Sequence, residues 1–142
     1  MYKPNLMLER TQLLESLKIP QNSFVNFYHP MSYVSKTCKS CSGNVILANC
    51  TIQNNVQIGC NNIINSNVVI EHETAIGNCN FIAASAVLGA KICMGDSCFV
   101  GLNSSIRESV EISDNTFVGM NSLILNNTGK NDILYGVPAR KK

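Results

Sequence analysis

The residues best suited to chemistry lie in one short stretch, Ile70-Glu71-His72-Glu73. His72 is one of two histidines in 142 residues, and the only one inside a region governed by a regular repeat. An imidazole titrates near neutrality, so it can take a proton from a hydroxyl or amine as that group attacks an acyl carbon. Glu73 follows directly and puts a carboxylate beside the ring. The competing reading is a surface histidine with a neighbouring carboxylate. The other histidine, His29, precedes Pro30, which disfavours helix at His29, and reads as structural. Cys38 and Cys41 form a CxxC, but a zinc knuckle needs a second such pair or a histidine pair, and none follows. They read as two small residues in adjacent coil positions.

A six-residue beat positions His72. Every sixth residue from Val34 to Ile124 is aliphatic or Met, with Ser40 the one exception and no slip of register. Four positions later in each beat stands a mostly small or β-branched residue, such as Cys50, Val68, Thr74, Ala86 or Ser104. Gly, Asn, Asp and Ser fill the intervals. A period of six fits neither an amphipathic helix nor an isolated strand. It fits a short strand plus a corner: the aliphatic points in, the small residue shares the interior, and Gly or Asn takes the corner conformation. Three such sides close a triangular coil of 18 residues, the hexapeptide β-helix among the architectures readable by period. Val34 to Leu123 predicts five complete coils stacked as parallel strands. His72, two residues after the inward Ile70, belongs toward a corner.

The flanks read differently. Asn5 is placed to cap a helix from Leu6 to about Lys18, with Leu6, Leu13, Leu14 and Leu17 on one apolar side, ended by Pro20 and Asn22. Phe24 to Phe27 reads as a short strand. After Ile124 come a loop rich in Asn and a last strand at Ile133-Leu134-Tyr135, and Lys141 and Lys142 read as a solvated tail. The expected organisation is an N-terminal helix–strand segment over 1–33, the β-helix over 34–125, and a C-terminal loop and tail over 126–142.

Composition excludes several partners. A net charge of +2 gives no basic surface for nucleic acid or an anionic membrane. No apolar run approaches the roughly 20 residues that span a bilayer, and the start lacks a signal peptide. Seven scattered cysteines need no explanation in a reducing cytosol, so a cytoplasmic location is expected.

The uninterrupted hexapeptides and the closing Gly136-Val137-Pro138-Ala139-Arg140 resemble the left-handed β-helix acyltransferases. Ile70-Glu71-His72-Glu73 and the preceding helix–strand–His29-Pro30 segment are similar to the bacterial sugar acetyltransferases of the sialic acid O-acetyltransferase and UDP-amino-sugar N-acetyltransferase branch. The resemblance implies an all-β, left-handed parallel β-helix preceded by a short helix and strand. The left hand comes from the resemblance, not from the period. In that family a small Rossmann-like domain holds the nucleotide sugar, and this sequence resembles only its final helix and strand.

The same resemblance implies acetyl-CoA as acyl donor, no metal, and a homotrimer with sites between subunits. It casts His72 as catalytic base and Glu73 as the group that makes it more basic. Ala90, one coil beyond His72, matches a glycine whose N–H faces the acetyl carbonyl. Phe81 stands where relatives often place a second histidine beside the acetyl group, and it cannot donate a hydrogen bond. Backbone near Leu102 and Met120 would meet the pantetheine arm, Gly136 to Arg140 would lie by the adenine, and Arg140 or Lys141 could reach a phosphate. Asn65 matches a polar position near the acceptor; a plain corner Asn is its other reading.

Two functions follow from these readings. One is an acetyl-CoA-dependent O- or N-acetyltransferase acting on a sugar or nucleotide-linked sugar in bacterial surface glycan synthesis. The other is a non-catalytic β-helix scaffold or partner subunit. A carbonic-anhydrase-like hydrase is disfavoured, because it needs three histidines per metal and the coils carry one.

Overall fold

The computed structural model describes residues 3–142 as a three-sided parallel β-solenoid with one helix packed on it. Each side contributes a two-residue strand per coil. Face 1 stacks Phe27–Tyr28, Val45–Ile46, Ile63–Ile64, Phe81–Ile82, Phe99–Val100, Phe117–Val118 and Ile133–Gly136, with Ala139–Lys141 as an antiparallel edge. Face 2 stacks Tyr33–Val34, Thr51–Ile52, Val69–Ile70, Val87–Leu88, Ser105–Ile106 and Leu123–Ile124. Face 3 stacks Lys39–Ser40, Gln57–Ile58, Ala75–Ile76, Cys93–Met94 and Glu111–Ile112. The register is 18 residues between coils, as in Phe81 opposite Phe99 and Val87 opposite Ser105, except at the last step of face 1, where Phe117 lies opposite Ile133.

The beat is the core. Every beat residue from Ile46 to Ile124 is buried, and so is the residue four positions on from Asn44 to Ser122. The solenoid begins earlier than the beat, because Phe27–Tyr28 already pairs in parallel with Val45–Ile46. It therefore has about six turns rather than five. The strand expected over Phe24–Phe27 forms at Phe27–Tyr28, where main-chain N–H groups reach the next coil: Phe27 N–H to Asn44 O is 2.8 Å.

Asn, not Gly, makes most of the corners. A left-handed residue recurs every six positions from Asn49 to Asn121, and its occupants are mainly Asn and Ser. Asn tolerates that conformation better than other residues with a Cβ. Most glycines have another task. Gly77 lies where coils approach closely, and a Cβ there would sit 2.7 Å from Gly95 O.

Helix α1 (Leu6–Ser16) ends two residues before the expected Lys18, and only part of the expected apolar side turns inward: Leu6 packs on the face 1 cluster and Leu14 is half-buried. Met7 is buried against Phe81, Phe99 and Phe117, whereas Leu13 and Leu17 are 61% and 53% exposed. The cause is the partner surface: a column of aromatic side chains on face 1 takes Met7, and polar ties fix the helix beside it. Arg10 Nη1 donates to Asn61 O (2.9 Å), and Thr11 Oγ1 meets Ser97 Oγ (2.8 Å). Asn5 occupies the N-cap position without capping; its Oδ1 accepts from Asn115 Nδ2 at 2.9 Å.

The far end is closed by the loop after Ile124. Asn127 Oδ1 accepts from Glu111 N–H and Thr128 Oγ1 from Ser113 N–H, each at 2.9 Å, in place of a further strand on face 3. Lys141 is not a free tail residue: its Nζ lies 2.5 Å from Asp132 Oδ1. Cys41 and Cys60 form a disulfide between successive coils, a pairing that the CxxC spacing did not suggest.

Candidate functional site

His72 stands at the corner between faces 2 and 3, half exposed. The coils on either side hold its main chain. Lys91 N–H donates to His72 O, and Glu73 N–H donates to Asn54 O, both at 3.0 Å. The ring Nδ1 lies 3.0 Å from Glu73 Oε2. Glu73 occupies the left-handed corner position, φ 58°. A carboxylate can only accept here, so this contact favours the tautomer of the neutral ring that has its proton on Nδ1 and Nε2 as acceptor.

One coil on, Gly89-Ala90-Lys91 lies over this corner. Buried Thr74 fixes it, donating to Gly89 O (3.0 Å) and accepting from Ile92 N–H (3.2 Å). Ala90 is not among the left-handed residues, so its Cβ is accommodated. Its N–H donates to no group among the described residues, while its carbonyl accepts from Ser109 N–H at 2.9 Å. Gly89 beside it cannot carry a side chain, since a Cβ would meet Glu108 N at 2.6 Å.

A second set of the expected residues gathers at a different corner, between faces 1 and 2. Asn65, Phe81, Leu102 and Met120 line a groove of about 470 Å³ with Phe99, Phe117 and Tyr135. Its floor is a ladder of rings: Phe81 to Phe99 and Phe99 to Phe117 stack with centroids 5.5 and 4.8 Å apart, and Tyr135 tilts over Phe117 at 5.8 Å. Leu102 and Met120 are exposed along the rim. No charged residue lines it. Asn65 is not the corner residue of its beat; that is Asn67, with φ 61°.

Gly136 and Arg140 follow Tyr135 in the C-terminal hairpin, where Gly136 pairs with Ala139 and Tyr135 with Arg140. Gly136 takes φ 102°. The hairpin is anchored from below. Lys141, and then the Gly129 N–H on Oδ2 (2.9 Å), hold the Asp132 carboxyl below the usual carboxylate range, against the opposing effect of burial.

A single chain thus brings His72, Glu73 and Ala90 together at one edge of the prism and Asn65, Phe81, Leu102 and Met120 at another. Face 2 separates them. Its outward residues are Tyr33, Thr51, Val69, Val87, Ser105 and Leu123, without a charge. Sequence reasoning passed over Phe99, Phe117 and Tyr135, although the first two precede beat residues at the same place as Phe81, one and two coils on. It also passed over Lys91, whose Nζ lies 3.8 Å from Glu73 Oε2. Among the described residues no group of three or more His, Cys, Asp or Glu could hold a metal ion.

No protein-family model and no curated protein sequence matches the chain. Solved structures do. PerB from Caulobacter crescentus, crystallised with CoA and GDP-perosamine, superposes with a TM-score of 0.87 at 23% identity, over 98% of this chain and 66% of its own. The acetyltransferase domain of PglB from Neisseria gonorrhoeae in complex with acetyl coenzyme A gives 0.87 at 19% identity, over 96% and 66%. WeeI from Acinetobacter baumannii gives 0.84 at 18%, over 96% and 66%. The chain spans 66% of the length of each, and the likeness establishes the β-solenoid with its packed helix.

Proposed function

We propose that the chain is an acetyl-CoA-dependent acetyltransferase acting on a hydroxyl or amine of a sugar or nucleotide-linked sugar in bacterial surface glycan synthesis. It works as a homotrimer. The observation that carries this reading is the His72–Glu73 pair, Nδ1 to Oε2 3.0 Å, one coil below an Ala90 N–H that is unpaired among the described residues. Crystals of PerB with CoA and GDP-perosamine, and of the PglB domain with acetyl coenzyme A, support the choice of donor and acceptor class.

In this reading the acceptor loses its proton to His72 Nε2 as it attacks the thioester carbon. Glu73 steadies the imidazolium that forms. The oxyanion of the tetrahedral intermediate takes a hydrogen bond from Ala90 N–H. Collapse expels the CoA sulfur, which takes the proton back from His72. The pantetheine arm lies on the ring ladder between Phe81 and Tyr135, bounded by Leu102 and Met120. Gly136 and Arg140 border the adenine end, with Arg140 near a phosphate. Asn65 lies toward the acceptor. Phe81 offers the acetyl group contact but no hydrogen bond.

Assembly completes the site. A three-sided prism can close a ring about a three-fold axis. Burying uncharged face 2 between copies brings the His72 edge of one subunit to the groove of the next. The scaffold reading draws on one observation, the absence of a donor at Phe81. Calorimetry of acetyl-CoA binding to the protein and to His72→Ala, with transfer to amino-sugar nucleotides measured in parallel, separates the two. The expected outcome is similar affinity in both proteins and transfer lower by about 10²-fold or more in the variant. Binding by neither protein overturns the enzyme reading.

A further inference from the structure

We propose that Lys91 is a positioning residue: it holds the Glu73 carboxylate on His72 and so fixes which ring nitrogen is the base. The inference rests on the acetyltransferase reading only for what the base then does. It begins from the corners. Of the left-handed corner positions that recur from Asn49 to Asn121, Glu73 and Lys91 are the only two with charged side chains. The others are Asn, Ser or Cys. A long side chain gains nothing from that conformation, and residues held in it cluster at functional sites.

These two exceptions stand 18 residues apart, in register on neighbouring coils, with φ 58° and 59°. They flank the only histidine in the repeat. Lys91 Nζ lies 3.8 Å from Glu73 Oε2, the same oxygen that meets His72 Nδ1 at 3.0 Å. Glu73 is the only carboxylate within 4.0 Å of Lys91 among the described residues. Lys91 also closes the arrangement from the main chain, its N–H donating to His72 O at 3.0 Å.

The pair is half exposed, so its worth as a stabilising ion pair is small. Its effect is directional. Glu73 is half exposed, and a cation beside Oε2 keeps that oxygen on the imidazole. Without it, Glu73 samples rotamers that leave Nδ1, and the neutral ring can carry its proton on either nitrogen.

Lys91→Asn tests this, because Asn suits the left-handed corner and removes the cation. The expected result is a Tm equal to or above wild type and a kcat lower by on the order of tenfold, part of what a positioned base contributes. KM for acetyl-CoA should not change. The imidazole ¹⁵N shifts of His72 should converge as two tautomers interchange; His29 is the only other histidine to assign. Lys91→Arg should restore both readouts. Wild-type kcat with unmoved shifts in Lys91→Asn overturns the proposal. So does a lower Tm with unmoved shifts, which would make Lys91 merely structural. If the wild-type protein transfers no acetyl group while the shifts still respond to Lys91→Asn, the acetyltransferase reading falls and the role of Lys91 stands.

Discussion

Corner residues set what each edge of the prism can carry. At Asn67 the chain turns with φ 61°. Its N–H spans to the previous coil, 3.0 Å from Ala48 O. Asn67→Ala keeps that bond and adds only the penalty of a left-handed alanine, so a loss of about 1 kcal/mol is expected by urea denaturation. Glu73 and Lys91 bear the same penalty without the mitigation that Asn provides. Their presence beside His72 is therefore informative in a way that an exposed charge on a strand would not be. His72 was legible from sequence as the lone histidine on the beat. The positive φ of Glu73, and the shared oxygen with Lys91, were not, because a left-handed corner every six residues follows from coil closure rather than from residue type.

Among the elements, α1 and the C-terminal hairpin show where local pattern loses to packing. Of the apolar side Leu6, Leu13, Leu14 and Leu17, the ring ladder of face 1 keeps Leu6 and adds Met7, and it leaves Leu13 and Leu17 exposed. The ladder itself belongs to no helix or strand pattern; it arises because residues 18 apart stack. The hairpin was readable only as a strand at Ile133. Its return strand needs Gly136 at φ 102° and the Lys141–Asp132 pair. That pair gives a pH dependence with a definite sign. The carboxyl is depressed in the fold, so its stabilisation is complete above the ordinary carboxylate value of about 3.9 and is lost as pH falls through the lower folded value. Asp132→Asn should accordingly melt below wild type at pH 6, and the gap in Tm should close toward pH 2.

For the whole molecule, face 2 lies between the His72 edge and the aromatic groove, and in the proposed trimer it is the face that packs against the next subunit. Val87 lies at the middle of that face, partly exposed in the single chain. Val87→Arg places a charge where a second copy is expected to pack, with its side chain pointing away from the core. Light scattering should then report a monomer where wild type gives a trimer, far-ultraviolet circular dichroism should be unchanged, and acetyl transfer should fall with the trimer. A variant that is monomeric and fully active would show that one chain holds a complete site.

The sequence by itself determined the solenoid, its period and its inward residues, because a six-residue beat sustained from Val34 to Ile124 has one economical way to bury its aliphatics. It also determined that His72 lies at a corner. Only the tertiary structure decided which corner, and which residues share it. Stacking converts a separation of 18 into contact, so Glu73 meets Lys91, Ala90 comes over His72, and Phe81, Phe99 and Phe117 merge into one groove floor. That same geometry put His72 and the groove on different edges, since 9 residues from His72 to Phe81 is half a coil and lands across the prism.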